Sequence, residues 1–144
     1  MYEYIRRFMY ETIRNKKMTG ATEIKPTESE LEILQILWEK KSCTVRDVHE
    51  ILEKNKDAGY TTTLKLMQIM HEKGLVTRDT SSKTHIYKPL VNQQKTQQHL
   101  VSRMIDNVFN GSASRMVMQA LGNHKASKEE LDAIKQYLDD LSNK

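Results

Sequence analysis

The sequence predicts a mainly α-helical protein with one small β-hairpin. Apolar residues recur at three- and four-residue intervals through most of residues 27–141, which is the helical period. Three of the predicted helices begin with threonine or serine three positions before an acidic residue, the pattern of a capping box. Two short runs of strand composition, 75–78 and 84–87, flank the polar turn Thr80–Lys83. These elements predict a winged helix-turn-helix domain followed by a helical domain.

Composition and cysteine usage exclude several classes of protein. The chain has 144 residues, 38% of them hydrophobic, so it can hold one medium domain or two small ones with modest cores. Its one cysteine, Cys43, excludes an internal disulfide framework and a multi-cysteine metal cage. We expect Cys43 to be a small buried hydrophobe; nearby Lys41 and the following helix start leave a reactive thiol as the alternative.

The sequence contains neither a membrane span nor a secretory signal. No apolar run approaches the length that crosses a bilayer. Arg6, Arg7 and Glu11 interrupt any signal-peptide core near the N-terminus. We therefore expect a cytoplasmic protein that does not insert directly into a membrane.

Residues 26–57 carry the start and stop signals of two helices. Pro26 precedes the capping box Thr27-x-x-Glu30, and a second box-like start follows at Thr44. The polar segment Asn55–Gly59 is predicted to form the turn after the second helix. The buried stripes are expected at Leu31, Leu34 and Trp38, broadened by Ile33, Ile36 and Leu37, and at Val45, Val48, Ile51 and Leu52.

The third helix, predicted to begin at Thr61 or Thr62 and to end at Gly74, has two unlike faces. Its core face is expected to consist of Thr63, Leu66, Met67 and Met70. The opposite face carries Thr61, Lys65, Gln68 and Glu72 at helical spacing. A polar stripe of this kind beside a β-wing is the arrangement of a recognition helix in the DNA major groove, with the wing on the backbone.

The excess of cationic side chains lies on the same surface. Residues 26–57 carry five cationic and eight anionic side chains, whereas residues 58–90 carry five and two. The positive field therefore lies on the third helix and the wing, where it would attract an anionic polymer.

The side chains of this surface suggest different kinds of DNA contact. Lys65 can donate to guanine, and Gln68 can pair with adenine in the major groove. Hydroxyl groups at the helix start suit a phosphate, and Tyr60 either does the same or packs against the scaffold. Two cationic residues of the wing are expected to contact phosphates. The predicted DNA-binding residues are Tyr60, Thr61, Thr62, Lys65, Gln68, Arg78 and Lys83.

The C-terminal part of the chain predicts three amphipathic helices whose apolar stripes exceed what they can cover alone. The break at Gly111–Ser112 separates the first two, and Ser127-x-x-Glu130 begins the last. Packing against a second copy of the chain buries these stripes most economically. The predicted dimerisation residues are Val101, Met104, Ile105, Val108, Leu131, Ile134, Leu138 and Leu141.

These patterns divide the chain into three regions. We expect residues 1–25 to form an N-terminal extension that is flexible or partly helical, residues 26–90 a winged-helix DNA-binding domain, and residues 91–144 a helical dimerisation domain. The motifs that mark a serine nucleophile, a phosphate-binding loop or a zinc protease are absent, so we predict neither an enzyme nor a cofactor. We also predict no metal site, because no two histidines have ligand spacing among His49, His71, His85, His99 and His124.

Three segments, in this order and spacing, carry a family resemblance: PTESELEILQILWEKKSCTVRDVHEIL, YTTTLKLMQIMHEKGLVTRD with HIYKP, and GSASRMVMQALGNHKASKEELDAIKQYLDDL. Residues 24–144 thus resemble the BlaI/MecI/CopY family of bacterial penicillinase-type repressors. The resemblance implies a winged-helix domain, a helical dimerisation domain and a homodimer that represses transcription from a palindromic double-stranded DNA operator. It also implies base contacts at Thr62, Lys65 and Gln68, with Arg78 and Lys83 at the wing.

Two departures from that family limit what the resemblance implies. Copper-responsive members carry a cysteine-rich C-terminal tail, whereas this sequence ends LDDLSNK, so copper sensing is not expected. Penicillinase repressors are cut by a membrane sensor-protease at an Asn-Phe bond, and the corresponding cleavage region here is Gln119-Ala120. Proteolytic relief with that partner stays open with a different bond specificity, but β-lactam induction does not follow.

Two other functions are compatible with the sequence. A winged-helix protein-interaction module that never binds DNA would show flat salt dependence and no sequence preference. A ligand-sensing regulator without proteolytic induction would show a shift in melting temperature with its ligand.

Overall fold

The computed structural model describes residues 25–144, so the predicted N-terminal extension lies outside the described residues except for Lys25. This part of the chain forms six helices and one two-stranded antiparallel sheet, which confirms the predicted fold class. No helix within it is long and apolar enough to cross a membrane. The elements are α1 (Glu28–Lys40), α2 (Val45–Leu52), α3 (Tyr60–Glu72), β1 (Val76–Asp79), β2 (Ile86–Pro89), α4 (Gln93–Val108), α5 (Ala113–Asn123) and α6 (Lys128–Ser142).

Helices α1 and α2 both begin with the capping boxes that the sequence predicts. Thr27 Oγ1 accepts from the Glu30 N–H at 3.2 Å, and the Glu30 carboxylate accepts from the Thr27 N–H at 3.3 Å. Thr44 and Asp47 exchange the equivalent bonds at 3.1 and 3.0 Å. Each cap satisfies amide groups that a helix start otherwise leaves unpaired, and its loss costs about 1 kcal/mol.

Helix α3 begins at Tyr60, one or two residues earlier than predicted. Gly59 takes the N-cap position, and its carbonyl accepts from the Thr63 N–H at 3.2 Å. Because glycine has no side chain, this helix start lacks the side-chain cap that α1 and α2 possess. The helix ends at Glu72, and Gly74 stops it as predicted, because its positive φ of 81° brings the Leu75 N–H to the Met70 carbonyl at 2.9 Å.

The two strands form a hairpin that lies slightly later in the chain than predicted. Val76 pairs with Pro89 at one end and Asp79 with Ile86 at the other. The amide of Leu75 is used to close α3, so β1 begins one residue beyond the predicted run. Cys43 adds an isolated bridge to Tyr87, with backbone bonds of 3.0 and 2.8 Å, so the segment between α1 and α2 extends the sheet.

The core of the first unit lies between α1, α2, α3 and the hairpin. Cys43 belongs to this core, as expected, and burial raises the pKa of its thiol, which disfavours the reactive thiolate. Leu66, predicted on the core face, is half-buried and packs against this core, while Thr63, Met67 and Met70 are the fully buried residues of α3. The buried apolar residues are Ile33, Leu34, Ile36, Leu37, Cys43, Val45, Val48, Leu52, Met67, Met70, Leu75, Val76 and Tyr87.

An ion pair between a buried carboxylate and a partly exposed lysine joins the start of α1 to the end of α3. Glu30 is only 1% exposed, and both its carboxylate oxygens accept from the Lys73 ammonium group, one of them at 3.0 Å. Trp38 makes a second long-range bond by donating its indole N–H to the Val91 carbonyl at 3.0 Å. These contacts fix both the end of α3 and the segment after the hairpin to helix α1.

The described chain forms two compact units, one ending at Leu100 and the other comprising Val101–Lys144. Ser112 caps α5 and Ser127 caps α6, each by accepting from the amide three residues later. The reciprocal bond, in which the Glu130 carboxylate would accept from the Ser127 N–H, is missing, so Ser127-x-x-Glu130 supplies only half of the predicted capping box. No described residue of the second unit reaches full burial, although its helices carry apolar stripes.

Candidate DNA-binding surface

The predicted polar stripe of α3 is exposed along its whole length. Thr61, Lys65, Gln68 and Glu72 all face solvent, and so does Thr62. The buried residues of the helix lie on the other side, as its periodicity predicts. Within the described chain, neither the Lys65 nor the Gln68 side chain has a hydrogen-bond or ion-pair partner. Their donors and acceptors are therefore available to an external ligand.

A groove of about 580 Å³ runs between the start of α2, the outer side of α3 and the hairpin loop. It brings together three predicted residues, Tyr60, Gln68 and Lys83. Arg46 and His85 line the same groove, so its rim carries cationic or protonatable groups from two different elements. A groove of this charge and shape can take a phosphodiester backbone that passes beside the recognition helix.

Arg78 is placed differently from the other predicted residues. In the hairpin it pairs with Tyr87, so both side chains lie on the inner face of the sheet. Arg78 is half-buried, and its Nε is buried without a hydrogen-bond partner in the described structure. Lys88 pairs with Thr77 and is exposed on the outer face. Its ammonium group is therefore more accessible to a ligand than the Arg78 guanidinium group.

Two residues of the groove, Arg46 and His85, were not singled out from the sequence. Arg46 is exposed in the first turn of α2, just after the Thr44 cap. The first helix of a helix-turn-helix crosses the DNA backbone, so a cation in its first turn was a usable signal. His85 lines the groove from the loop before β2, whereas the sequence placed it within the second strand.

Local hydrogen bonds shape the hairpin loop that carries Lys83 and His85. Asp79 accepts from the Ser81 N–H at 2.9 Å, and Ser82 Oγ donates to the Thr84 carbonyl at 2.7 Å. The bonds from Ser81 lower the pKa of the Asp79 carboxyl, so it stays ionised through the neutral range. The ionised Asp79 carboxylate stabilises the loop at neutral pH. This stabilisation is lost only as the pH falls through the lowered pKa.

Tyr60 packs against the scaffold, which is one of the two roles that the sequence left open. Its ring meets the His49 ring edge-on, with centroids 5.5 Å apart and planes at 85°. The side chain is nevertheless exposed and lines the groove. Tyr60 therefore contacts the scaffold on one side and lines the groove on the other.

A helical domain with an exposed polar helix face beside a β-hairpin defines the class of winged-helix transcriptional regulators. The chain belongs to the penicillinase repressor family, whose profile matches residues 26–140. That family consists of transcriptional repressors rather than enzymes.

Individual relatives have low sequence identity but match most of the chain. A penicillinase repressor of Staphylococcus aureus is 19% identical over 116 residues, covering 81% of this chain and 92% of the relative. A methicillin resistance regulatory protein MecI of Staphylococcus aureus is 22% identical, covering 78% and 91%. The transcriptional regulator BlaI of Mycobacterium tuberculosis is 28% identical, covering 78% and 81%.

Proposed function

We propose that this repressor acts in the cytoplasm as a homodimer that binds a palindromic DNA operator through α3 and the wing. The observation that carries the proposal is the row of exposed, unpaired polar side chains on α3 beside the groove, including Lys65 and Gln68. Membership of a repressor family supports the regulatory role. Few side chains of one domain can read bases, so two copies on a palindrome would supply the specificity.

The second unit supports the proposed dimer because it leaves large apolar side chains exposed. Val101, Met104, Val108, Leu131, Leu138 and Leu141 are all exposed large hydrophobic residues, and all were predicted at the interface. Ile105 and Ile134 are half-buried. A unit that exposes this apolar surface and has no fully buried residue among those described favours burial against a second copy.

Proteolytic relief by a membrane sensor-protease is part of the proposal. Gln119 and Ala120 lie in the middle of α5 and are exposed, but their backbone is helical. A protease binds its substrate as an extended strand, so α5 would have to unwind locally before the bond is cut.

Lys65→Ala should weaken binding to the operator and relax discrimination at one base position. The expected loss is about 1–3 kcal/mol if Lys65 donates to a base edge. Operators can be obtained by selecting duplexes from a random library with the wild-type protein, and affinities compared at fixed salt. Lys128→Ala removes the same charge from the second unit and should leave discrimination intact. Equal discrimination in both variants would exclude base reading by Lys65.

Arg46→Ala should lower affinity for all duplexes alike, because a phosphate contact carries no sequence information. The slope of log K against log salt should become shallower by about one. Folding should be unaffected, since Arg46 is exposed and the α2 cap uses Thr44 and Asp47. Arg46→Lys keeps the charge and should restore the slope. An unchanged slope in Arg46→Ala would show that the DNA backbone does not pass along the groove.

A further inference from the structure

The start of α3 is held by contacts from α2 rather than by a cap of its own. Gly59 supplies no side-chain bond there, although α1 and α2 each have a complete capping box. The segment before Gly59 is polar and mostly exposed, so it offers little packing to fix the helix end. The orientation of the first turn of α3 must therefore be set by other contacts.

His49 of α2 makes those contacts. Its Nδ1 lies 3.2 Å from Thr63 Oγ1, and its ring meets the Tyr60 ring edge-on. Thr63 is 1% exposed, and its hydroxyl also lies 3.4 Å from the Gly59 carbonyl. A single side chain thus touches two residues of the first turn of α3, and one of these reaches back to the N-cap.

The remaining ring nitrogen is also occupied. His49 Nε2 lies 3.3 Å from Glu53 Oε2, one turn further along α2, and the His49 side chain is only 13% exposed. A neutral ring with its proton on Nε2 donates to Glu53 and accepts from the Thr63 hydroxyl, whose single proton is then not available to the Gly59 carbonyl. A ring protonated on both nitrogens donates to both partners. In either state the ring is fixed at both ends, which makes it a rigid connection between the two helices.

Thr61 and Thr62 lie on the same turn as Tyr60 and Thr63 but face solvent. Because the four residues share one helical turn, rotating that turn moves the exposed pair with the buried contact. A shift of this kind changes which DNA groups the exposed residues reach, while the overall charge of the surface stays the same. Specific binding depends on such placement, whereas general attraction to DNA depends on charge.

We propose that His49 is a positioning residue that sets the angle of the α3 start through Thr63 and thereby controls sequence discrimination. The inference rests on the proposed function, since it assumes that α3 reads DNA. His49 itself does not contact DNA in this arrangement. Its effect should appear in the ratio of operator affinity to affinity for unrelated duplexes, with the salt dependence unchanged.

Two substitutions of His49 separate the contacts of its two nitrogens. His49→Asn keeps an amide near the position of Nδ1 and can still bond Thr63, whereas His49→Gln keeps an amide near Nε2 and loses that bond. We expect His49→Gln to lower the ratio about five- to tenfold, the equivalent of one hydrogen bond. His49→Asn should keep the ratio of operator affinity to non-specific affinity close to that of the wild-type protein. His124→Gln makes the same chemical change at an exposed position of the second unit and should change nothing.

Thr63→Val tests the other end of the contact by removing the hydroxyl while keeping the shape. It should lower the ratio to a similar degree, and the double variant with His49→Gln should lose little more than either alone. Operator duplexes selected from a random library by the full-length wild-type protein serve as specific DNA, and the unselected library as non-specific DNA. Melting temperatures are measured alongside.

The outcomes distinguish this inference from the proposed function. If the wild-type protein enriches no sequence from the library, the proposed function fails and the inference with it. If a sequence is enriched but His49→Gln and Thr63→Val keep the wild-type ratio, only the inference is wrong. A parallel loss of affinity for both kinds of DNA, together with a lower melting temperature, would reduce His49 to a stabilising residue and also overturn it.

Discussion

Replacing Leu138 by aspartate should convert the protein to a monomer and lower its affinity for the full palindromic operator about 10²- to 10⁴-fold. In a dimer, binding of the first half-site brings the second winged-helix domain to the other half-site at high effective concentration. A monomer loses that advantage although each recognition helix is intact. The measurement compares sedimentation velocity with binding to full and half operators.

The expected effect is large because of where Leu138 lies. It belongs to an apolar stripe of α6 with Leu131 and Leu141, and its side chain is 51% exposed within the single chain. On α4, Val108 is 68% exposed, so the uncovered surface is not limited to one helix. A carboxylate placed in an interface that covers this stripe would be buried without a partner, which costs several kcal/mol.

The matched control is Ala133→Asp, which adds the same charge to the opposite, exposed face of α6. This variant should remain a dimer and bind the full operator normally. Affinity for a single half-site should be unchanged in both variants, since the first unit has its own buried core. A Leu138→Asp protein that stays dimeric would place the interface away from α6.

Features that depend on residues close together in the sequence were predictable. The capping boxes of α1 and α2 involve residues three apart, so threonine followed by an acidic residue was sufficient to identify them. The polar face of α3 followed from the helical period for the same reason. The cap at Ser127 was only half right, because the direction of the Glu130 side chain depends on its surroundings.

Contacts between distant residues could not be predicted in this way. Arg78 was assigned to the wing by its charge and by the family resemblance, but pairing with Tyr87 turns it to the inner face of the hairpin. That orientation depends on strand register, and a shift of one residue would have reversed it. The bond between His49 and Thr63 likewise depends on how α2 packs against α3. Neither partner alone indicates the contact.

The ion pair between Glu30 and Lys73, 43 residues apart, provides the second large effect. Lys73→Met should destabilise the first unit by about 3 kcal/mol, the low end of the range for breaking a buried pair. The lower value is expected because the Lys73 side chain is 31% exposed, so water can reach part of the site. Glu30 itself is almost completely buried and would keep an uncompensated charge, with only the Thr27 amide donating to it.

Removing the other partner should have a smaller effect, and this asymmetry tests the explanation. Glu30→Gln leaves Lys73 free to turn toward water, and glutamine can still accept from the Thr27 amide, so about 1 kcal/mol is expected. The double variant should recover most of the loss of Lys73→Met, because no buried charge remains. Urea unfolding followed by the fluorescence of Trp38, the single tryptophan, reports on the first unit. If Lys73→Met costs no more than Glu30→Gln and the double variant recovers nothing, the buried carboxylate is already stabilised without the lysine.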